Sequence, residues 1–142
     1  MSLLTSRALV VLCSSVFLAS CGGEDPVVPT TPTPAAPTAV ETFSGAINRN
    51  GAVTHTFVAG AAGEVIAKLV AVAPETIESI GLSLGTWNIT NNTCQTIISN
   101  DSAVQGAEVK GAASVASNLC VRVYDVGKIP AQASYEVTVS HF

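Results

Sequence analysis

Strict alternation of apolar with small or polar residues is what most constrains this chain. Ile80, Leu82 and Leu84 alternate with Gly81, Ser83 and Gly85 and lead to Thr86 and Trp87. Leu119, Val121 and Val123 alternate with Cys120, Arg122 and Tyr124, and Tyr135, Val137 and Val139 alternate with Glu136, Thr138 and Ser140. A period of two sends successive side chains to opposite faces of a strand, so each stretch asks for a sheet with one buried side. Helices are poorly served. Charged residues are only 11% of the chain, and Val, Thr, Ser and Gly suit strands and turns better than exposed helical faces.

Further strands are expected over residues 41–47, 53–58, 65–72, 94–99 and around 107–110. Asn50 and Gly51 both tolerate positive φ, which predicts a hairpin joining the first two. The run 65–72 is apolar on nearly both faces, as in a strand lying inside a sandwich. Pro74, Glu75, Thr76 and Glu78 form a polar crossover with room for one helical turn. A polar loop follows over 88–93, and Asn100, Asp101 and Ser102 are expected to turn the chain. Short strands spaced about 8 to 12 residues apart with turn signals between them point to an all-β, antiparallel β-sandwich over residues 41–142.

The N-terminus has a different character. Arg7 precedes an apolar run through Phe17 and Leu18 that is shorter than the ~20 residues needed to span a bilayer, which is the pattern of an export signal. Leu18, Ala19, Ser20 and Cys21 resemble the lipobox of bacterial lipoproteins. The resemblance implies that residues 1–20 are removed and that Cys21 becomes a diacylated first residue; two acyl chains make anchoring stable where one is marginal. Gly22 and Gly23, in place of an Asp, favour the outer membrane in that pattern. Pro26, Pro29, Pro32, Pro34 and Pro37 then mark residues 21–40 as an extended linker rising about 3.1 Å per residue, a spacer between the lipid and the folded domain.

Of the four cysteines, Cys13 leaves with the signal and Cys21 carries the lipid. Cys94 and Cys120 remain, and in an exported domain a disulfide is the expected state. No CxxC spacing favours a metal pair instead. The formal net charge is −4, and beyond Arg7 the basic residues Arg49, Lys68, Lys110, Arg122 and Lys128 are scattered, which argues against nucleic acid as a partner.

The succession Phe43-Ser44-Gly45, then Thr54 to Phe57, Gly63 with Val65 and Leu69, Ile80 to Leu84, Leu119 to Tyr124, and Tyr135 with Val137 and Val139 resembles the bacterial pre-peptidase C-terminal domain family. The resemblance implies a single jelly-roll-like sandwich, of a kind appended to secreted peptidases and often removed after export. This chain departs from the family in carrying no peptidase and in having Ser117, Asn118, Leu119 and Cys120 where a Gly-x-Tyr is common.

Chemistry is sparsely signalled. The Gly81-Leu82-Ser83-Leu84-Gly85 spelling of a nucleophile elbow falls inside the alternating strand stretch, and neither His55 nor His141 neighbours a nucleophile motif in the chain. His55, between threonines, reads as a structural or surface strand histidine, and His141 as part of a frayed terminus. Some members of the resembled family bind calcium, but their acidic clusters have no counterpart here. Asn100, Asp101 and Asp125 suit either an ion or Asx turns. Trp87, beside the polar loop, suits either stacking on a sugar ring or packing near the disulfide. The expectation is a non-enzymatic module without metal or cofactor, held on the membrane through its lipid and directed at an envelope protein or glycan. The alternative is a structural envelope lipoprotein that packs against another exported protein.

Overall fold

A computed structural model describes residues 39–142; residues 1–20, Cys21 and nearly all of the linker lie outside them. Eight strands follow in chain order: β1 (Ala39–Asn48), β2 (Ala52–Ala59), β3 (Gly63–Ala73), β4 (Ile80–Asn88), β5 (Thr93–Ala103), β6 (Glu108–Ala113), β7 (Ser117–Tyr124) and β8 (Gln132–His141). They build two antiparallel four-stranded sheets, ordered β1-β8-β3-β6 and β2-β7-β4-β5. The pairs β1–β8, β2–β7, β3–β6 and β4–β5 are those of one long hairpin rolled on itself, which makes the sandwich a jelly roll. Only β4 and β5 are both consecutive and paired; every other connection crosses between the sheets.

The expected hairpin between the first two strands does not form. Asn50 takes a φ of 57° and the Gly51 N–H donates to the Asn48 carbonyl, 2.8 Å away, so the turn is real. Its strands nevertheless part, β1 pairing with β8 and β2 with β7. Turn chemistry reverses the chain, but burial selects the partner. In separate sheets, Ile47 and Phe57 both reach the core, where they are 1% and 4% exposed.

Two smaller expectations also change. Residues 74–79 make a turn in which the Ile77 N–H donates to the Pro74 carbonyl (3.1 Å), with no helix among the described residues. Asn100 to Ser102 stay within β5, where a register shift opposite Ile80 and Leu82 absorbs the surplus length as a bulge.

The core is the set of inward positions that the alternation marks: Leu69 on β3, Ile80 and Leu82 on β4, Val121 and Val123 on β7, Val137 and Val139 on β8. The run 65–72 becomes β3, interior in its sheet order but buried on one face alone, since Val65, Ala67 and Leu69 point into the core while Ile66, Lys68 and Val70 face outward. On β4 the tiny outward residues are buried too. A Cβ on Gly81 would enter the Tyr124 ring, and one on Gly85 would overlap the Gln95 carbonyl. The expected disulfide between Cys94 and Cys120 is present, with the Cα atoms 5.9 Å apart. It ties β5 to β7 across the strand between them, at the level where Gly85 faces Cys120.

Candidate functional site

Because the chain crosses between sheets at nearly every step, its connections sort to two ends. Ala39 is level with His141, and the Gly60 N–H donates to the Phe142 carbonyl (2.6 Å), so the start of β1, the β2–β3 turn and the end of β8 share one end. Residues 48–51, 74–79 and 125–131 gather at the other. β1 has ten residues, which at roughly 3.3 Å each separates the two ends by about 33 Å.

Asp125 holds that far end together. Its Oδ2 accepts from the Asn50 N–H (2.8 Å), and its Oδ1 accepts from the N–H groups of Gly127, Lys128 and Ile129 at 2.8, 2.9 and 3.1 Å. These bonds, led by that from Asn50, hold its carboxyl below the usual carboxylate range. The Arg49 N–H donates to the Ala131 carbonyl and the Asp125 N–H to the Gly51 carbonyl, both 2.9 Å. Ile77 and Ile129, both buried, pin their loops to the core. We expect Asp125→Ala to cost about 1 kcal/mol, by analogy with loss of a capping side chain. Amide exchange at Gly127, Lys128 and Ile129 should then speed by about fivefold, read by hydrogen-exchange mass spectrometry or NMR while the β7 amides stay slow.

Between these loops lies an open cleft of about 590 Å³, lined by Arg49, Thr76, Glu78, Gly127, Lys128, Ile129 and Pro130. The Lys128 ammonium donates to Glu78 Oε2 at 2.9 Å, and this bond and its charge hold the Glu78 carboxyl down. A second recess, of about 150 Å³, lies beside it between residues 74–79 and the end of β5.

No protein-family model matches this chain, and no curated protein does.

The residues singled out from sequence fall elsewhere. Trp87 is half-buried on β4 directly across from Cys94, beside the disulfide and at the end where β1 begins. Asn100 Oδ1 accepts from the Ser102 N–H (3.0 Å), Asp125 serves the backbone as above, and Asp101 accepts from the Tyr124 hydroxyl. All three oxygens thus have partners within the chain, and the Asn100 and Asp125 geometries are Asx turns. Arg49 and Lys128 were legible only as scattered charges, and Glu78 as part of the polar crossover. Turn signals at Asn50-Gly51 and Asp125-x-Gly127 mark them as loop residues, but their meeting depends on the roll.

Both histidines sit at the open edge where β1 and β2 face one another. His55 stacks on Phe43 (4.9 Å between centroids, 16° between planes), and its Nε2 is 2.8 Å from the Tyr135 hydroxyl. His141 is not frayed. It is 4% exposed, packed 5.2 Å from the Phe57 ring, with Nε2 2.9 Å from Glu41 Oε1 and Nδ1 3.1 Å from the Phe142 carbonyl. Burial lowers the His55 pKa below the ordinary 6.5 and raises that of Tyr135, which stays uncharged across the range in which histidines titrate. A lowered value in the folded state means that the unfolded chain takes up the proton first. The stability held by neutral His55 is therefore complete above pH 6.5 and lost as pH falls through the depressed value. Wild type should lose more Tm than His55→Gln between about pH 7.5 and about pH 5. Calorimetry at the two pH values checks this, and equal losses would contradict it.

Proposed function

We propose that this chain is a non-enzymatic module lipid-anchored through Cys21 to the bacterial cell envelope, at the outer membrane by the lipobox pattern, and that its sandwich binds another envelope component. The observation that carries this reading is the placement of Ala39. The linker joins the domain at one end, while a cleft rimmed by internally hydrogen-bonded loops lies at the other. Loops held on a rigid scaffold are where binding residues concentrate. An accessory role beside an exported peptidase follows from the resemblance to the pre-peptidase C-terminal family.

A second reading, a structural lipoprotein that packs against an exported protein, draws on a different place. Ile97 and Ile98 on the edge strand β5 are 74% and 41% exposed, beside a narrow apolar slot that also involves Leu84, Gly111 and Leu119. Cross-linking on intact cells discriminates the two. Capture through a photo-reactive residue at position 76 supports the first reading, and capture through one at position 97 supports the second. The anchor has its own test: labelled palmitate should enter wild type and not Cys21→Ala, and equal labelling would refute lipidation.

A further inference from the structure

The loop-end cleft holds a cation whose surroundings differ from those of the other described cations. Lys68 and Lys110 both pair with Glu108, at 3.7 and 3.1 Å, and Arg122 lies over the Tyr124 ring at 5.4 Å. Among the described residues Arg49 is the one cation with neither a carboxylate within 4.0 Å nor an aromatic face beneath it. It lines the cleft with Lys128, whose ammonium is paired with Glu78. The Asp125 carboxylate on the same loops is taken up by backbone N–H groups.

The geometry points to this cleft as a binding site for a saccharide bearing a carboxylate. Planar, five-donor guanidinium groups take carboxylates in a bidentate fork, and among the described residues none occupies that of Arg49. Beside it, the Lys128–Glu78 pair sets a donor and an acceptor side by side, which suits hydroxyl groups that each donate and accept. Thr76 adds a third such group, and Pro130 offers an apolar wall to a sugar ring. The volume of about 590 Å³ is within the range of ligand clefts. The backbone at Arg49 and at 127–129 is already fixed by Ala131 and Asp125, so little loop ordering opposes binding. This inference rests on the binding-module reading and names the ligand class of its cleft.

The test is an NMR titration of the full-length, ¹⁵N-labelled chain in detergent with trigalacturonate, its methyl ester and inorganic phosphate. Trigalacturonate should move the amides of Arg49, Thr76, Glu78, Gly127 and Lys128. Esterification and Arg49→Gln should each weaken binding by about tenfold, and Glu78→Gln by about threefold. Equal binding of the ester, phosphate binding as tightly as the trimer, shifts confined to another surface, or no shifts would each overturn the proposal. If the cleft is inert while cross-linking still captures an envelope partner, the saccharide site fails and the binding-module reading stands.

Discussion

Replacing Cys94 and Cys120 together by alanine is expected to destabilise the domain by about 3.5 kcal/mol, the chain-entropy value for a closed loop of roughly 27 residues. The two cysteines are 26 positions apart, and the bridge ties edge strand β5 to β7 with β4 between them. Without it, β5 is held to its sheet by β4 alone, through a ladder broken by two register shifts. For a domain of this size the loss corresponds to a fall in Tm of roughly 15 to 25 °C. Thermal unfolding checks it. Wild type should drop by a similar amount when reduced, and the double variant should not respond to reductant. A double variant within about 1 kcal/mol of wild type would mean that the strand ladder alone fixes β5.

Gly85→Ala is expected to cost nearly as much, about 3 kcal/mol, the upper range for overpacking. The clash is with backbone: an added Cβ meets the Gln95 carbonyl and the Thr96 Cα, and these cannot swing aside as a side-chain tip would. Relief requires moving β5 at its bulge, next to Cys94. Gly111→Ala is the control. There the nearest atoms are Leu84 Cδ1 at 3.8 Å and Ile98 Cγ2 at 4.0 Å, so the change should stay within about 0.5 kcal/mol. Urea unfolding of both variants measures the difference, with m values expected to match wild type. Similar midpoints for the two would show that β5 yields readily.

How far the fold could be read depended on how local its cause was. All eight expected strands form, and the strictly alternating stretches at 80–85, 119–124 and 135–140 were the plainest of them because the period of two is a property of each segment and needs no partner. The tiny residues on the outer face of β4 were visible as a pattern, but their purpose was not. Gly81 makes room for the Tyr124 ring and Gly85 for the backbone of β5, and those neighbours are brought there by pairing. The Asn50-Gly51 turn was correctly placed, yet the hairpin inferred from it was wrong, because the reversal is local and the choice of partner is not. His141 looked terminal and exposed by position; its pairing level with Ala39 puts it against Glu41 and Phe57 instead.

The candidate cleft shows the same division. Arg49 is 79 residues from Lys128 in the chain, and Glu78 lies between them; no spacing rule connects the three. The carboxylate of Asp125 unites two of their loops, through three N–H groups of its own turn and that of Asn50, which the pairing of β2 with β7 brings beside it.

By itself the sequence determined the class of structure. Alternation and β-rich composition require sheets buried on one side, and Cys94 and Cys120, expected from sequence to pair, are joined in the structure. Which strands pair, which end carries the cleft and which charges meet there were decided by tertiary structure. The physical reason is that a rolled hairpin gains its burial from contacts between distant segments. Its loop end is assembled by the same pairing that closes the core, and no single stretch of residues encodes it.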